Sequence, residues 1–282
     1  LEFFIHNNFR RASEMFGDAI ERHRALSGRA GFELDTVSMF WCWTLYYQGL
    51  IGDLARRIPA MAEAAVRAGN RYTAVTLRCA FPIAWLARLE PDAIEAELDA
   101  ALASWATPDG SYQLQHMLAL CSRIDLALYR GRPEQVTARI PGELQAVRRA
   151  MLDRAPMQGV LVRTSLARHA LACAAAAPAG SSERRAALGS ARRHVRAYRR
   201  MPVPLAKHSA IMFDGVVAEL EGNPDGAVRA YRACLPGFES CDVHLFANAV
   251  RALLGARIGG DEGKGLATGA RAWLRGEGVR DP

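Results

Sequence analysis

Apolar residues recur three and four positions apart along nearly the whole chain, and the strict alternation that marks a half-buried strand is almost absent. Ala, Leu, Arg and Glu, all good helix formers, dominate the composition. The pattern predicts an all-α protein. Turn signals interrupt the helical runs. In ELEGNPDGAVRAYRACL, Glu219 to Leu235, Gly222 is placed to close one helix with a positive φ, and Asn223 to cap the next. Pro224 follows at the first helical position, where a missing N–H costs nothing. So short a connection forces the two helices to lie antiparallel.

The same punctuation recurs at Asn7–Asn8, Gly52–Asp53, Glu90–Pro91–Asp92, Gly131–Pro133, Gly180–Ser182 and Gly259–Asp261. Measured from Asn8, Asp53, Pro91, Pro133, Ser182, Pro224 and Asp261, the intervals are 45, 38, 42, 49, 42 and 37 residues. A period near forty predicts about seven stacked antiparallel hairpins, wound as a right-handed superhelix, an α-solenoid. Gly69–Asn70, Pro108–Ser111, Pro156 and Pro202 with Pro204 supply the connections between hairpins. No long linker divides residues 1–282, which read as a single repeat domain.

Gly215, Ala227 and Tyr231 place two small residues and a ring at fixed offsets across one hairpin, and Ala12, Phe16 and Ala19 give a similar set in the first. Gly and Ala let two helix backbones meet, and the ring fills the groove between them. The pattern resembles the tetratricopeptide repeat. The hairpin around Gly52 lacks these residues, and most units exceed the usual length of about 34 residues. The chain, with its tail ARAWLRGEGVRDP from Ala270 to Pro282, is similar to the helical carboxy-terminal regions of multidomain bacterial serine/threonine kinases of the myxobacterial type. That resemblance implies a cytoplasmic interaction or regulatory module whose parent performs any phosphoryl transfer elsewhere. SRIDLAL, around Arg123 and Asp125, lacks the His and the downstream Asn of a kinase catalytic loop.

Composition fits this picture: 282 residues, 50% hydrophobic and 23% charged, describe an ordinary globular chain long enough for a large core. The longest apolar run, Leu171 to Gly180, is too short for a membrane span. The chain begins at Leu1 as if inside a helix and reads as a piece of something longer. Only Lys207 and Lys264 are lysines, so Arg supplies the positive charge and, with abundant Ala, points to a GC-rich genome.

Candidate chemistry is sparse. GGDEGKG, Gly259 to Gly265, has Ile258 and Gly265 where a phosphate-binding loop needs Gly and Ser or Thr, and reads as an interhelix turn. Cys42, Cys79 and Cys121 fall at equivalent places in successive hairpins and read as buried apolar residues; no Cys-x-x-Cys occurs among the six cysteines. His169 and Cys173 are four apart, half of what a zinc site needs. Glu95, Glu97 and Asp99 read as a solvated face. No metal, cofactor or catalytic residue is assigned, and the chain is read as non-catalytic.

Two features remain as candidate binding surfaces. In ERRAALGSARRHVRAYRR, Glu183 to Arg200, Leu188, Ala191, Val195 and Tyr198 form an inward stripe, while Arg185, Arg192, Arg196 and Arg199 share another face. Seven Arg against one Glu give this segment +6 of a net charge of +7. It suits an acidic protein surface or phosphate; nucleic acid is disfavoured because no aromatic rings interleave it. In MFWCWTLYYQG, Met39 to Gly49, the rings of Trp41, Trp43 and Tyr47, with Phe40 and Tyr46, cannot all face one side of a helix. Some must line a groove. A scaffold binding a protein or peptide is the leading expectation; a small-molecule or enzymatic site in the groove is the alternative.

Overall fold

The computed structural model describes residues 2–27, 32–87, 90–105 and 110–279. Pro108 and Asp109 of one expected connection, and the last three residues of the tail, lie outside the described residues. Every regular element described is helical. The first half runs α1 (Glu2–Ile5), α2 (Phe9–Ser27), α3 (Phe32–Gln48), α4 (Ile51–Arg67), α5 (Arg71–Cys79), α6 (Pro82–Leu86), α7 (Pro91–Ser104) and α8 (Leu114–Tyr129). Then follow α9 (Glu134–Thr137), α10 (Ile140–Arg149), a 3-10 turn (Leu152–Arg154), α11 (Pro156–Ala176), α12 (Ser182–Arg199), α13 (Pro204–Leu220), α14 (Pro224–Ser240), α15 (His244–Ile258) and α16 (Gly260–Gly276).

Turn chemistry sets the boundaries. Each of the seven punctuation markers lies within two residues of a helix start. Gly222 has φ 76°, the Asn223 side chain accepts the Gly226 N–H at 2.9 Å, and Pro224 opens α14. Gly131 likewise takes φ 66° after α8. Gly52 departs from expectation: it is the second residue of α4, and the turn before it is made by Gly49 at φ 75°. Gly49 is required twice over, because a Cβ there would also lie 2.3 Å from the Trp273 ring.

Small residues govern the hairpin contacts. A Cβ on Gly215 would sit 2.5 Å from the Tyr231 ring, and both Ala227 and Tyr231 are fully buried between α13 and α14. At the α15–α16 crossing, Cβ atoms on Gly255 or Gly263 would each lie 2.5 Å from the other's carbonyl oxygen. In the first hairpin Ala12 and Phe16 are buried as expected, but Ala19 is exposed. The inward stripe of α2 is centred on Phe9, Phe16 and Ile20, and Ala19 falls outside it by the 100° advance per residue.

Two apolar cores result. One gathers α1–α3 with α11–α15; the other gathers α4–α8 with side chains from α3, α9, α10 and α11. Consecutive helices pair as hairpins, most extensively α11 with α12, α13 with α14 and α15 with α16. Helices early in the chain also reach the last ones: α3 packs on α15, and the Gly52 N–H of α4 donates to Glu277 Oε2 at 3.3 Å. Asn7, buried and at φ 59°, accepts the Leu205 N–H of α13 at 2.8 Å.

Gly215→Ala is expected to destabilise the fold by about 1–3 kcal/mol through overpacking against Tyr231. Gly265→Ala, at an exposed helical site with nothing within 4 Å, is expected to stabilise it by about 0.4–1 kcal/mol. Urea unfolding of the two variants measures both signs.

Candidate functional site

Helix α3 carries apolar and aromatic residues on all sides of its C-terminal half, so different rings meet different neighbours. Trp41 is held against α4, with the Arg57 guanidinium 4.2 Å from its ring centroid, and against α2 by a 2.9 Å bond from its indole N–H to Ser13. Its ring is partly exposed and packs within the chain on both sides. Tyr46 stacks edge-on with Tyr47 at 5.2 Å, on the side where Asp125 of α8 pairs with Arg168 of α11 at 2.6 Å. Burial lifts the Asp125 carboxyl above its ordinary value, opposed by the Arg168 charge.

Trp43 and Tyr47 face a cavity of about 200 Å³. Its apolar wall is built by Met39 and Phe40 of α3, Met117 and Leu118 of α8, Met157 and Leu161 of α11, and Phe4 of α1. Tyr72 and Thr76 of α5, Thr36 of α3 and Gln158 of α11 supply the polar edge. The Thr76 hydroxyl is already engaged, donating to the Tyr72 carbonyl at 2.7 Å and accepting from the Gln115 amide at 2.9 Å. Gln158, partly buried, has a side-chain amide with no hydrogen bond among the described residues. None of the lining residues is charged at neutral pH, and burial pushes the Tyr47 phenol well above its ordinary range.

The site unites α1, α3, α5, α8 and α11, elements separated by up to a hundred and fifty residues. Only the aromatic run of α3 signals it in the sequence. Met117, Met157 and Leu161 sit on helical stripes that look like any core face, and their convergence is a tertiary fact.

The arginine row meets a different fate. Leu188, Ala191, Val195 and Tyr198 are the buried stripe of α12, as the periodicity predicts. Arg192 and Arg199, however, pair with Glu221 and Asp214 of α13 and its C-terminus, and Arg185 donates to the Gly180 carbonyl at 2.6 Å. Arg192 and Arg199 are occupied because α13 and the residue that follows it supply acids along that flank, and Arg185 is held by a backbone carbonyl. Arg196 is exposed and makes no ion pair among the described residues. On the opposite flank His194 is partly buried; burial, then the positive charges of Arg163, Arg193 and Arg148, push its imidazole down to about 4.

His169 is buried, with Nε2 3.0 Å from both the Pro133 carbonyl and the Thr137 hydroxyl, which ties α11 to the start of α9. Among the described residues no cluster of three or more His, Cys, Asp or Glu is placed to hold a metal. Cys42, Cys79 and Cys121 are buried, and burial raises each thiol to about 12. Glu95, Glu97 and Asp99 are not a merely solvated face: they reach Arg130, Arg78 and Arg123 on neighbouring helices. Lys264 and Gly265 lie in the first turns of α16, which begins where a phosphate-binding loop would have to curl. Among the described residues no helix is long and apolar enough to cross a membrane. Comparison with family models, with curated proteins and with solved structures found no match for the chain.

The depressed His194 fixes a pH response. The folded state holds it neutral while the unfolded chain binds a proton near 6.5, so stability falls as pH drops from about 6.5 towards 4. His169 and His208 are lowered in the same direction and contribute to the same slope. His194→Gln is expected to flatten the decline by on the order of 2 kcal/mol, read from urea unfolding across that range.

Proposed function

We propose that the chain is a non-catalytic regulatory module that binds a small, uncharged, largely apolar molecule in the aromatic cavity and passes occupancy to an attached domain or protein partner. The observation that carries this reading is the cavity itself, with about 200 Å³ of space, rings and methionines on its walls and no charged group among the residues lining it. A cavity of about 150 Å³ lined by apolar side chains accommodates benzene, so this one has room for a molecule of one or two rings. Trp43 and Tyr47 offer faces for stacking, and the three methionines adapt to irregular shapes. Gln158 supplies a donor and an acceptor at the edge, enough to orient a ligand with a single hydroxyl, carbonyl or ring nitrogen.

An enzymatic site is less well supported, since the lining holds no acid or base able to move a proton near neutral pH. The forty-residue period supports a tetratricopeptide-like, right-handed stack of hairpins as the scaffold. The likeness to kinase carboxy-terminal regions supports a cytoplasmic signalling protein as the parent, and gives ligand binding an output.

Calorimetric titration of the chain with indole, naphthol and, as a charged counterpart, benzoate tests the reading. Saturable binding of the uncharged rings and not of benzoate is expected, with stabilisation of about 2.7 kcal/mol at a hundredfold excess over Kd. Leu161→Trp, which fills the cavity, is expected to abolish binding while the protein remains folded. If no uncharged ring compound binds saturably, or the filled variant binds as well as the parent, the cavity is not a ligand site.

A further inference from the structure

Side-chain amides in this chain are bonded wherever they are covered. The Gln48 amide donates to the Phe9 carbonyl at 2.8 Å, Gln113 to the Ser111 hydroxyl at 3.3 Å and Asn248 to the His244 carbonyl at 2.9 Å. Asn70 accepts the Thr73 N–H at 3.1 Å, Asn7 accepts that of Leu205, and Gln115 donates to Thr76. Among the described residues these are all the buried or half-buried Asn and Gln side chains except one. Gln158, half-buried on the lining of the aromatic cavity, makes no side-chain hydrogen bond among the described residues.

Met157 and Leu161 lie one turn apart on α11 and both line the cavity. By the advance of about 100° per residue, Gln158 falls about 60° round the helix from Leu161, on the flank of the same face. It is the only carboxamide among the lining residues. Elsewhere on the lining the Thr76 hydroxyl is engaged by the Tyr72 carbonyl and the Gln115 amide, and Thr36 and Tyr72 have partners of their own. The rings of Trp43 and Tyr47 do not fix the orientation of a ligand. Their centroids are 6.4 Å apart and their planes tilted by 32°, whereas a flat ring held between two others needs about 7–8 Å, twice the van der Waals spacing of carbon. A bound ring system therefore lies against these faces and the methionines, contacts that do not distinguish one edge of the ligand from another.

A ligand that fills the cavity displaces water from the Gln158 amide. Left unpaired, the covered amide lowers affinity roughly tenfold, and a lone hydroxyl or ring nitrogen satisfies only one half of it at good geometry. A ring N–H next to a ring carbonyl satisfies both halves, fork to fork, as a glutamine amide reads the adjacent donor and acceptor on the edge of adenine. Resting on the ligand-site reading above, we propose that the cavity selects a fused-ring lactam, a flat uncharged bicycle whose ring N–H adjoins its carbonyl, and that Gln158 is the residue that sets this specificity. Gln158 Nε2 donates to the lactam oxygen and Oε1 accepts the lactam N–H, while the hydrocarbon part of the ligand covers Trp43, Tyr47 and the methionines.

Calorimetric titration of the full chain with 2-quinolone, N-methyl-2-quinolone and quinoline tests the assignment, because the three share one two-ring skeleton and differ in the donor and the acceptor. 2-Quinolone is expected to bind roughly five- to a hundredfold more tightly than either of the others, the range for one bidentate amide pair. In Gln158→Leu that preference is expected to disappear, with urea unfolding as the check that the variant is folded. The comparison of the three compounds on the unaltered chain stands without the variant. A preference below about fivefold over either analogue, failure of 2-quinolone to bind where indole does, or a preference that survives Gln158→Leu overturns the lactam assignment and leaves the cavity as a less selective ligand site. Absence of saturable binding by all three and by indole and naphthol overturns the ligand-site reading together with it.

Discussion

The packing of α3 between two hydrophobic cores constrains everything else in the molecule. Trp41, Trp43 and Tyr46 each pack against both cores, while Cys42 and Leu45 belong to one and Tyr47 to the other. A helix apolar on all sides must be surrounded, and the chain surrounds it with α2, α4, α5 and α15. Bulky rings at neighbouring positions cannot all be close-packed by helices that approach at ordinary interaxial distances. Where Gly49 lets Trp273 in, the fit is tight; where methionines from α8 and α11 face Trp43, space remains. The cavity is thus a consequence of the aromatic load on α3.

Arginine content shapes the surface of the same scaffold. With only two lysines in the chain, nearly every cation is a planar fork that can hold a carboxylate in a fixed geometry. Individually such exposed pairs are worth little, about 0–1 kcal/mol. Their value lies in matching one helix to the next. Arg130 held by both Asp92 and Glu95, or Arg257 reaching Glu219 across α13 and α15 at 2.5 Å, penalises any other register.

Much of the fold is written in local chemistry. The Gly222–Asn223–Pro224 turn, the inward stripe of α12 and the close contact of Gly215 with Tyr231 follow from spacing alone, because each involves residues within one helix or one hairpin. Gly52 is misread because sequence does not distinguish the glycine that turns the chain, Gly49, from one inside the first helical turn three residues on. Ala19 is misread because a motif offset fixes position along a helix and not the direction of its neighbours. For the arginine row, periodicity finds the shared face of Arg185, Arg192, Arg196 and Arg199, but the acids that pair with Arg192 and Arg199 lie on α13 and just after it and are visible only once the helices are packed. The cavity is the least legible feature, since five helices contribute to it and only α3 bears a compositional mark.

The walls of the cavity are connected to distant parts of the fold. Phe4, on the short helix α1, is one wall, and it packs against Phe9 at 5.7 Å and Phe40 at 5.5 Å. Three residues on, Asn7 donates to the Phe4 carbonyl at 3.4 Å and accepts from Leu205, so one buried amide joins the cavity wall to the first turn of α13. Helix α13 in turn is locked to α14 by the ring that Gly215 admits. A side-chain acceptor for an N-terminal helix N–H is worth about 1 kcal/mol. The contacts from Phe4 through Asn7 to Leu205 therefore tie the cavity wall to the helices at the carboxy-terminal side of the fold.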